Sequence, residues 1–220
     1  MHKQPIGKAL DWHGAKRPER LVLQGQYCRL EPLEAGHTEG LFKAFQADTK
    51  GRNWTYMVNG PYPDLPPFKA WVSKASTGKD PLFFAICLPD GTPLGYASYM
   101  RIAPEMGVME VGSINLSPAL QGTRAATEAQ YLLMQHAFQL GYRRFEWKCD
   151  ALNAASIKAA QRLGFTYEGT FRQALVYKGR NRDTAWFSVL NSEWPALKAR
   201  FERWLAPENF DSGGQQLTAL

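Results

Sequence analysis

Val108-Met109-Glu110-Val111-Gly112-Ser113-Ile114-Asn115-Leu116 is the stretch on which the reading of this sequence turns. Its apolar residues begin at odd positions, Met109 and Val111, and end at even ones, Ile114 and Leu116. Side chains on a strand alternate between faces, so a strand with one buried face changes phase only by admitting an extra residue. The spacing predicts a bulge at Gly112-Ser113. A bulge splays the strand from its neighbour and frees backbone N–H and C=O groups for a ligand. A glycine-weakened edge strand gives the same pattern.

The loop Ser117-Pro118-Ala119-Leu120-Gln121-Gly122-Thr123 stops this strand. Beyond it Ala125, Ala129, Leu132, Leu133, His136, Ala137 and Leu140 recur at helical spacing until Gly141 ends the run. Thr123 is placed to cap that helix. A small-residue loop entering a helix presents unpaired N–H groups and the positive end of the helix dipole, which suits phosphate.

Here the residues resemble a family. Gln121-Gly122-Thr123-Arg124-Ala125-Ala126 is similar to the Q/R-x-x-G-x-G/A segment of GCN5-related N-acetyltransferases (GNAT), the loop that grips the pyrophosphate of acetyl-CoA. Arg124 stands where a glycine is usual; it adds charge at the phosphates provided its side chain points away from the loop wall. Thr127-Glu128-Ala129, Asn153-Ala154-Ala155-Ser156 and Leu163-Gly164-Phe165-Thr166-Tyr167-Glu168-Gly169 resemble the T-E-A, N-x-x-S and L-G-F-x-x-E-G of the RimJ/RimL-like branch, which acetylates ribosomal-protein N-termini. The resemblance spans about 27–205 and is motif-rich over 108–175. It implies a GNAT fold, a mixed α/β (α+β) domain with a central, mostly antiparallel twisted sheet, a bulged middle strand and flanking helices. It also implies that acetyl-CoA lies along Ile114, Asn115 and Leu116 and at Gln121, Gly122, Thr123, Arg124, Ala125, Ala126 and Thr127, with Asn153 and Ser156 near its pantetheine end.

The 220 residues suit one domain with appendages, and 45% hydrophobic residues suffice for a full core. No apolar run is long enough for a transmembrane span. Residues 1–26 carry Lys, Arg and Pro without an apolar core segment; they read as an extended basic arm, pinned by Trp12, rather than a secretory signal. Residues 27–205 form the expected transferase domain and 206–220 a flexible tail. Cys28, Cys87 and Cys149 are odd in number and far apart, which argues against a disulfide scaffold or a zinc site and fits a reducing cytoplasm. Cys149 shares the apolar face of a strand with Phe145 and Trp147, and His136 lies on the apolar face of the long helix; both read as core. The net charge of +6 gathers at Arg143, Arg144 and Lys148 and at Arg172, Lys178, Arg180 and Arg182. A phosphate-bearing cofactor, an RNA-rich particle and a merely solvated surface all accommodate such clusters.

Strands are expected at 27–33, 82–88, 94–102, 144–149, 166–176 and 183–190, and helices at 34–48, 66–77 and 192–205. Asp90-Gly91 marks a hairpin, and Asn153 caps a short helix ending at Gly164. The aromatic connection Trp54–Pro63 borders the acceptor site in the resembling family, and a loop packed by its own aromatics reads equally well.

Acetyl transfer to an amine needs a neutral acceptor, a donor for the oxyanion and a proton for the departing thiolate. An α-amine with pKa near 8 is about a tenth neutral at pH 7, whereas a lysine is neutral roughly once in a few thousand molecules. A site without a strong base therefore suits α-amines. Many family members carry a Tyr acid seven residues after the Asn, at the position of Ala160 here; the branch's Ser acid matches Ser156. Some members have a carboxylate base at the position of Leu175. Glu110 remains, as a residue that takes the proton through water or pairs with an Arg across the sheet. The expected acceptor is a protein N-terminal α-amine, which the resemblance extends to a ribosome-associated one, with a polyamine or aminoglycoside as the alternative. A non-catalytic acyl-CoA-binding regulator and a nucleic-acid-binding module are the readings of another class. No metal and no membrane are expected.

Overall fold

The computed structural model describes residues 4–220; residues 1–3 of the basic arm lie outside it. Eight strands form one sheet in the order β1-β2-β3-β4-β5-β6-β8-β7. They are β1 (Leu23–Gln24), β2 (Arg29–Pro32), β3 (Leu82–Cys87), β4 (Pro93–Ala103), β5 (Val108–Leu116), β6 (Arg144–Asp150), β7 (Thr166–Tyr177) and β8 (Arg180–Leu190). Every pairing is antiparallel except β5 with β6. The helices are α1 (Thr38–Gln46), α2 (Leu65–Ala75), α3 (Arg124–Gln139), α4 (Ala154–Arg162) and α5 (Trp194–Leu205). The parallel pair follows from connectivity, since the chain returns from β5 to β6 through α3, a crossover long enough to reverse direction.

The two faces of the sheet are covered differently. One face carries α3, α4 and α5 over a core of Met109, Val111, Phe145, Trp147, Phe187 and their neighbours. The other carries α1 and α2 over Phe83, Ala85, Cys87 and Tyr96, so it is covered at its β2–β4 half. All six residues of β3 are consequently buried, and its sequence shows a continuous apolar run rather than alternation. In α3 twelve of sixteen residues are buried, because the helix lies between the sheet and α5. Over β5–β8 no helix among the described residues covers the second face, and Glu110, Glu146 and Lys148 occupy it.

Segments near both ends of the described residues pack on this frame. Leu23 and Gln24 pair with Leu30 and Arg29, so the last residues of the expected arm form an edge strand. Trp12 does pin the segment before them, donating Nε1–H to the Glu105 carbonyl at 3.2 Å. Lys16 N–H reaches the Leu140 carbonyl at 2.9 Å. Residues 206–220, the expected tail, carry contacts of their own: Phe210 bridges Gln216, and Trp204 donates to the Gln216 side chain at 2.9 Å.

Candidate active site

The phase change in β5 is a bulge. Gly112 pairs with Ser98 and Asn115 with Tyr96, so three steps on β5 match two on β4. Ser113 has φ +48, placing the extra residue at Ser113-Ile114, one position beyond the expected Gly112-Ser113. A side chain at Gly112 would sit 2.4 Å from Met100 Sδ and 3.1 Å from Glu110 Oε1, so Met100 would have to shift to admit one. Ladder pairing with β6 ends at Val111–Trp147. Past that pair the strands part, and among the described residues no strand borders the inner edges of 112–116 and 148–150. Ile114 and Leu116 return to the Met109 face and are only partly buried. The Asn115 side chain turns to the opposite face, where it is 2% exposed and lies 3.4 Å from the Tyr96 hydroxyl.

At the fork's helical end Thr123 caps α3 as expected, its hydroxyl accepting from Ala126 N–H at 3.1 Å. The N–H groups of Gly122, Arg124 and Ala125 donate to nothing among the described residues, and Gly122 holds φ +73. Three free N–H groups at the positive end of a long helix fit a diphosphate. Arg124 leans away from the loop, 4.3 Å above the Tyr27 ring and 5.4 Å from Phe210. Arg162 reaches the Thr127 hydroxyl at 3.1 Å. Among the described residues neither arginine forms an ion pair, so both cations are free for an anion. The Gln121 side chain acts elsewhere. Its amide bonds Asn53 Oδ1 at 2.8 Å and the Leu116 carbonyl at 2.9 Å, clamping the 52–56 loop to β5. The fit to the acetyl-CoA of the resembling family is therefore good at the phosphate end and along the splayed strand.

Asn153 caps α4, accepting from Ser156 N–H at 3.1 Å. Ser156 Oγ accepts from the Trp147 indole at 3.0 Å, which fixes the hydroxyl on the helix-covered side of β6. Ala160, at the family's Tyr position, is fully buried, so no acid emerges there. Leu175, at the carboxylate position, is exposed on β7 and pairs with Arg182.

Glu110 faces the other way. Lys148 Nζ lies 2.8 Å from Glu110 Oε2 and 2.8 Å from Glu146 Oε2, and Arg101 Nε is 3.8 Å from Glu110. The partner is thus chiefly a lysine of the adjacent strand, joined by the arginine. Burial raises the Glu110 carboxyl above its ordinary range despite Lys148. For Glu146 burial also pushes upward, but Lys148 and Arg144 together hold it below the usual value. Lys148 further rests 3.7 Å from the Trp186 ring centre.

The 52–56 loop spans the open end of the fork. Asn53 donates to the Leu116 carbonyl at 2.8 Å, Tyr56 to Leu152 at 3.1 Å, and Lys178 from the β7–β8 turn to the Trp54 carbonyl at 2.7 Å. Behind that contact the Tyr177 hydroxyl donates to Asp150 Oδ2 at 2.7 Å. Neither Tyr177 nor Asp150 stands out in the sequence; the one signal there is that Asp150 extends the polar alternation of Glu146 and Lys148. Glu128 is a second unannounced group, since its buried carboxylate accepts the N–H groups of Gln26, Tyr27 and Cys28 at 2.7–2.8 Å. It anchors the start of β2 to α3. Glu31, His37 and Cys87 bring ligand-type atoms within 4.8 Å of one another. There His37 Nδ1 accepts from Glu34 N–H and its Nε2 meets Glu31, while burial pushes the Cys87 thiol up to about 12. That corner is a structural cap: His37 and Arg29 hold the Glu31 carboxyl below its usual value, and the thiol stays protonated.

Comparison with known proteins agrees with this architecture. The acetyltransferase (GNAT) domain family matches residues 28–166. Among curated proteins no match is found. A GCN5-related N-acetyltransferase from Brucella melitensis is 50% identical with a TM-score of 0.93, over 95% of this chain and 96% of that one. A probable GNAT acetyltransferase from Chromobacterium violaceum is 40% identical with a TM-score of 0.80, over 88% and 100%. An acetyltransferase from Salmonella typhimurium that modifies the N-terminal serine of ribosomal protein L7/L12 shares the fold, at 21% identity and a TM-score of 0.66 over 77% and 99%. No described helix is long and apolar enough to cross a membrane. The forked sheet and the family match together make the chain an acetyltransferase of the GNAT family, whose co-substrate is acetyl-CoA.

Proposed function

We propose that this protein transfers the acetyl group of acetyl-CoA to the α-amine of a protein N-terminus, in a cytoplasmic setting where a ribosomal protein is the first candidate acceptor. The observation that carries the reading is the state of the carboxylates at the site. Glu110 is paired with Lys148, and the family's base position is Leu175. Without a free strong base the site favours an amine that is already partly neutral, and an α-amine meets that need far better than a lysine. The rim supports the same choice over a polycation, since Lys50, Arg52, Lys178 and Arg180 surround the loop and hairpin that close the fork. Three free, buried cysteines suit the reducing compartment.

In this reading the diphosphate sits on the free N–H groups of 122–125, with Arg124 beside it, and the pantetheine arm runs through the fork past Asn153. The amine attacks the thioester carbon from the Glu110 face. Ser156, on the opposite face, gives its proton to the leaving thiolate. The proton shed by the amine passes through water to Glu110, whose affinity for a proton burial raises above that of an ordinary carboxylate. A thiol-release assay tests the assignment, with short peptides bearing free or acetylated N-termini beside a panel of polyamines and aminoglycosides. Turnover confined to free N-termini is expected. Turnover with the small amines and none with any peptide overturns the protein-acceptor reading.

A further inference from the structure

We propose that Arg162, backed by Arg200 and carried on the Trp204 ring, holds the phosphomonoester on the ribose of acetyl-CoA, apart from the groups that take the diphosphate. The inference rests on acetyl-CoA as co-substrate and on the diphosphate placement above. It adds the residues that tell this cofactor from its 3′-dephospho form.

Arg162 is the last residue of α4, yet its side chain does not serve that helix end. Arg200 of α5 does, donating from Nη2 to the Arg162 carbonyl at 3.1 Å. The Arg162 guanidinium turns instead to α3, where Nη1 donates to the Thr127 hydroxyl at 3.1 Å, and it lies 4.9 Å from the Trp204 ring centre. A guanidinium has five N–H donors, and among the described residues the Thr127 bond is the one it makes. No carboxylate pairs with either arginine among the described residues. Arg200 Nε is in addition a buried donor with no partner. Burial and then the Arg200 charge lower the Arg162 pKa, so the two cations stand against each other uncompensated. An anion at this corner removes that repulsion.

The corner adjoins the diphosphate groups. Arg124 and Thr127 are three residues apart on α3 and so share a face of that helix. Phe210 meets the Arg124 guanidinium at 5.4 Å and Trp204 edge-on at 5.1 Å. One aromatic wall therefore carries Arg124 at one end and Arg162 at the other. The free N–H groups of 122–125 and Arg124 suffice for the diphosphate. Acetyl-CoA has one further anionic group, the phosphomonoester of its ribose, with a charge of about −1.5 to −2 near neutral pH, as for other phosphate monoesters. A planar fork of N–H donors with a second cation behind it matches that group. The neutral adenine and pantetheine offer no charge to offset the two guanidinium groups.

Calorimetry with acetyl-CoA and with its 3′-dephospho form tests the assignment on wild type, Arg162→Gln and Arg162→Lys, while thermal melting follows folding. Wild type should bind acetyl-CoA about tenfold more tightly than the dephospho form, and the gap should narrow in high salt. Arg162→Gln should lose about tenfold for acetyl-CoA and stay within about twofold for the dephospho form, which closes the gap. Arg162→Lys keeps the charge without the planar fork and should retain part of it. Arg124→Ala should weaken both ligands alike, because it serves the diphosphate they share. Equal wild-type affinity for the two ligands overturns the proposal whatever the variants do. So do equal losses for both ligands in a folded Arg162→Gln, which make Arg162 a brace of α3 or a second diphosphate contact. A wild type that binds neither ligand overturns the acetyl-CoA reading instead.

Discussion

In the proposed mechanism Ser156 and Glu110 act from opposite faces of one sheet, and that separation makes their roles separable. The Ser156 oxygen already accepts from Trp147, so its own proton is free to travel outward. Because the thiolate needs that proton only as it leaves, Ser156→Ala is expected to lower turnover about a hundredfold while acetyl-CoA affinity stays within a few-fold. Single-turnover kinetics beside calorimetry check it, and matched losses in both would make Ser156 a cofactor contact. Glu110 acts as a base only when ionised, and burial moves its ionisation upward. The acid limb of the kcat/KM profile should therefore lie above the ordinary carboxylate range in wild type. In Glu110→Gln the amine must lose its proton to bulk water, and the limb should move to alkaline pH; an unmoved limb removes Glu110 from the route. Although Ser156 was singled out by the resemblance alone, the caps Asn153 and Thr123 were legible in sequence because capping acts over three residues. Tyr177 and Asp150 were not, since 27 residues separate them and only the β7–β8 hairpin brings them together.

The bulged strand and the helix that follows were legible because each leaves a periodic mark, a broken period of two and a sustained period of 3.6. What held the helix in place left none. Glu128 reads as one member of a Thr-Glu-Ala motif, yet its carboxylate closes three backbone N–H groups at 26–28 and lies where a Cβ on Gly25 would strike it. In Glu128→Gln one acceptor oxygen becomes an NH₂ group. If it replaces Oε2, it faces the N–H groups of both Tyr27 and Cys28. Loss of charge-assisted bonds and a donor–donor conflict should destabilise the protein by about 2–4 kcal/mol. Urea denaturation measures it; a change below about 0.5 kcal/mol would mean that water replaces the carboxylate without loss. Tyr27, which carries Arg124, should loosen in the same variant.

At the scale of the whole molecule the mostly antiparallel sheet was expected from the resemblance, while the contacts of the terminal segments were not, because turn-rich segments with few apolar side chains leave no periodic mark. Residues 206–220 contain few large apolar side chains, and composition alone assigns them to solvent. In the structure Phe210 packs edge-on against Trp204 at 5.1 Å and Tyr27 at 6.1 Å, while Asn209 bonds Leu217 and Thr218. The same ring lies 5.4 Å from the Arg124 guanidinium, so the last segment of the chain helps to hold a cation beside the α3 N-terminus. A cation held in place loses less freedom on meeting a phosphate than one that swings in water. A protein ending at Ala206 should therefore keep its fold at a lower melting temperature and bind acetyl-CoA several-fold more weakly. Phe210→Ala should reproduce most of the affinity loss with less of the thermal loss, because it removes the brace and leaves the Asn209 bonds. Arg124→Ala should weaken binding further, and adding Phe210→Ala to it should cost little more, since the ring acts through that arginine. If the two substitutions instead weaken binding additively, Phe210 acts on the cofactor by another route. If truncation lowers the melting temperature and leaves acetyl-CoA affinity unchanged, the tail braces the fold alone.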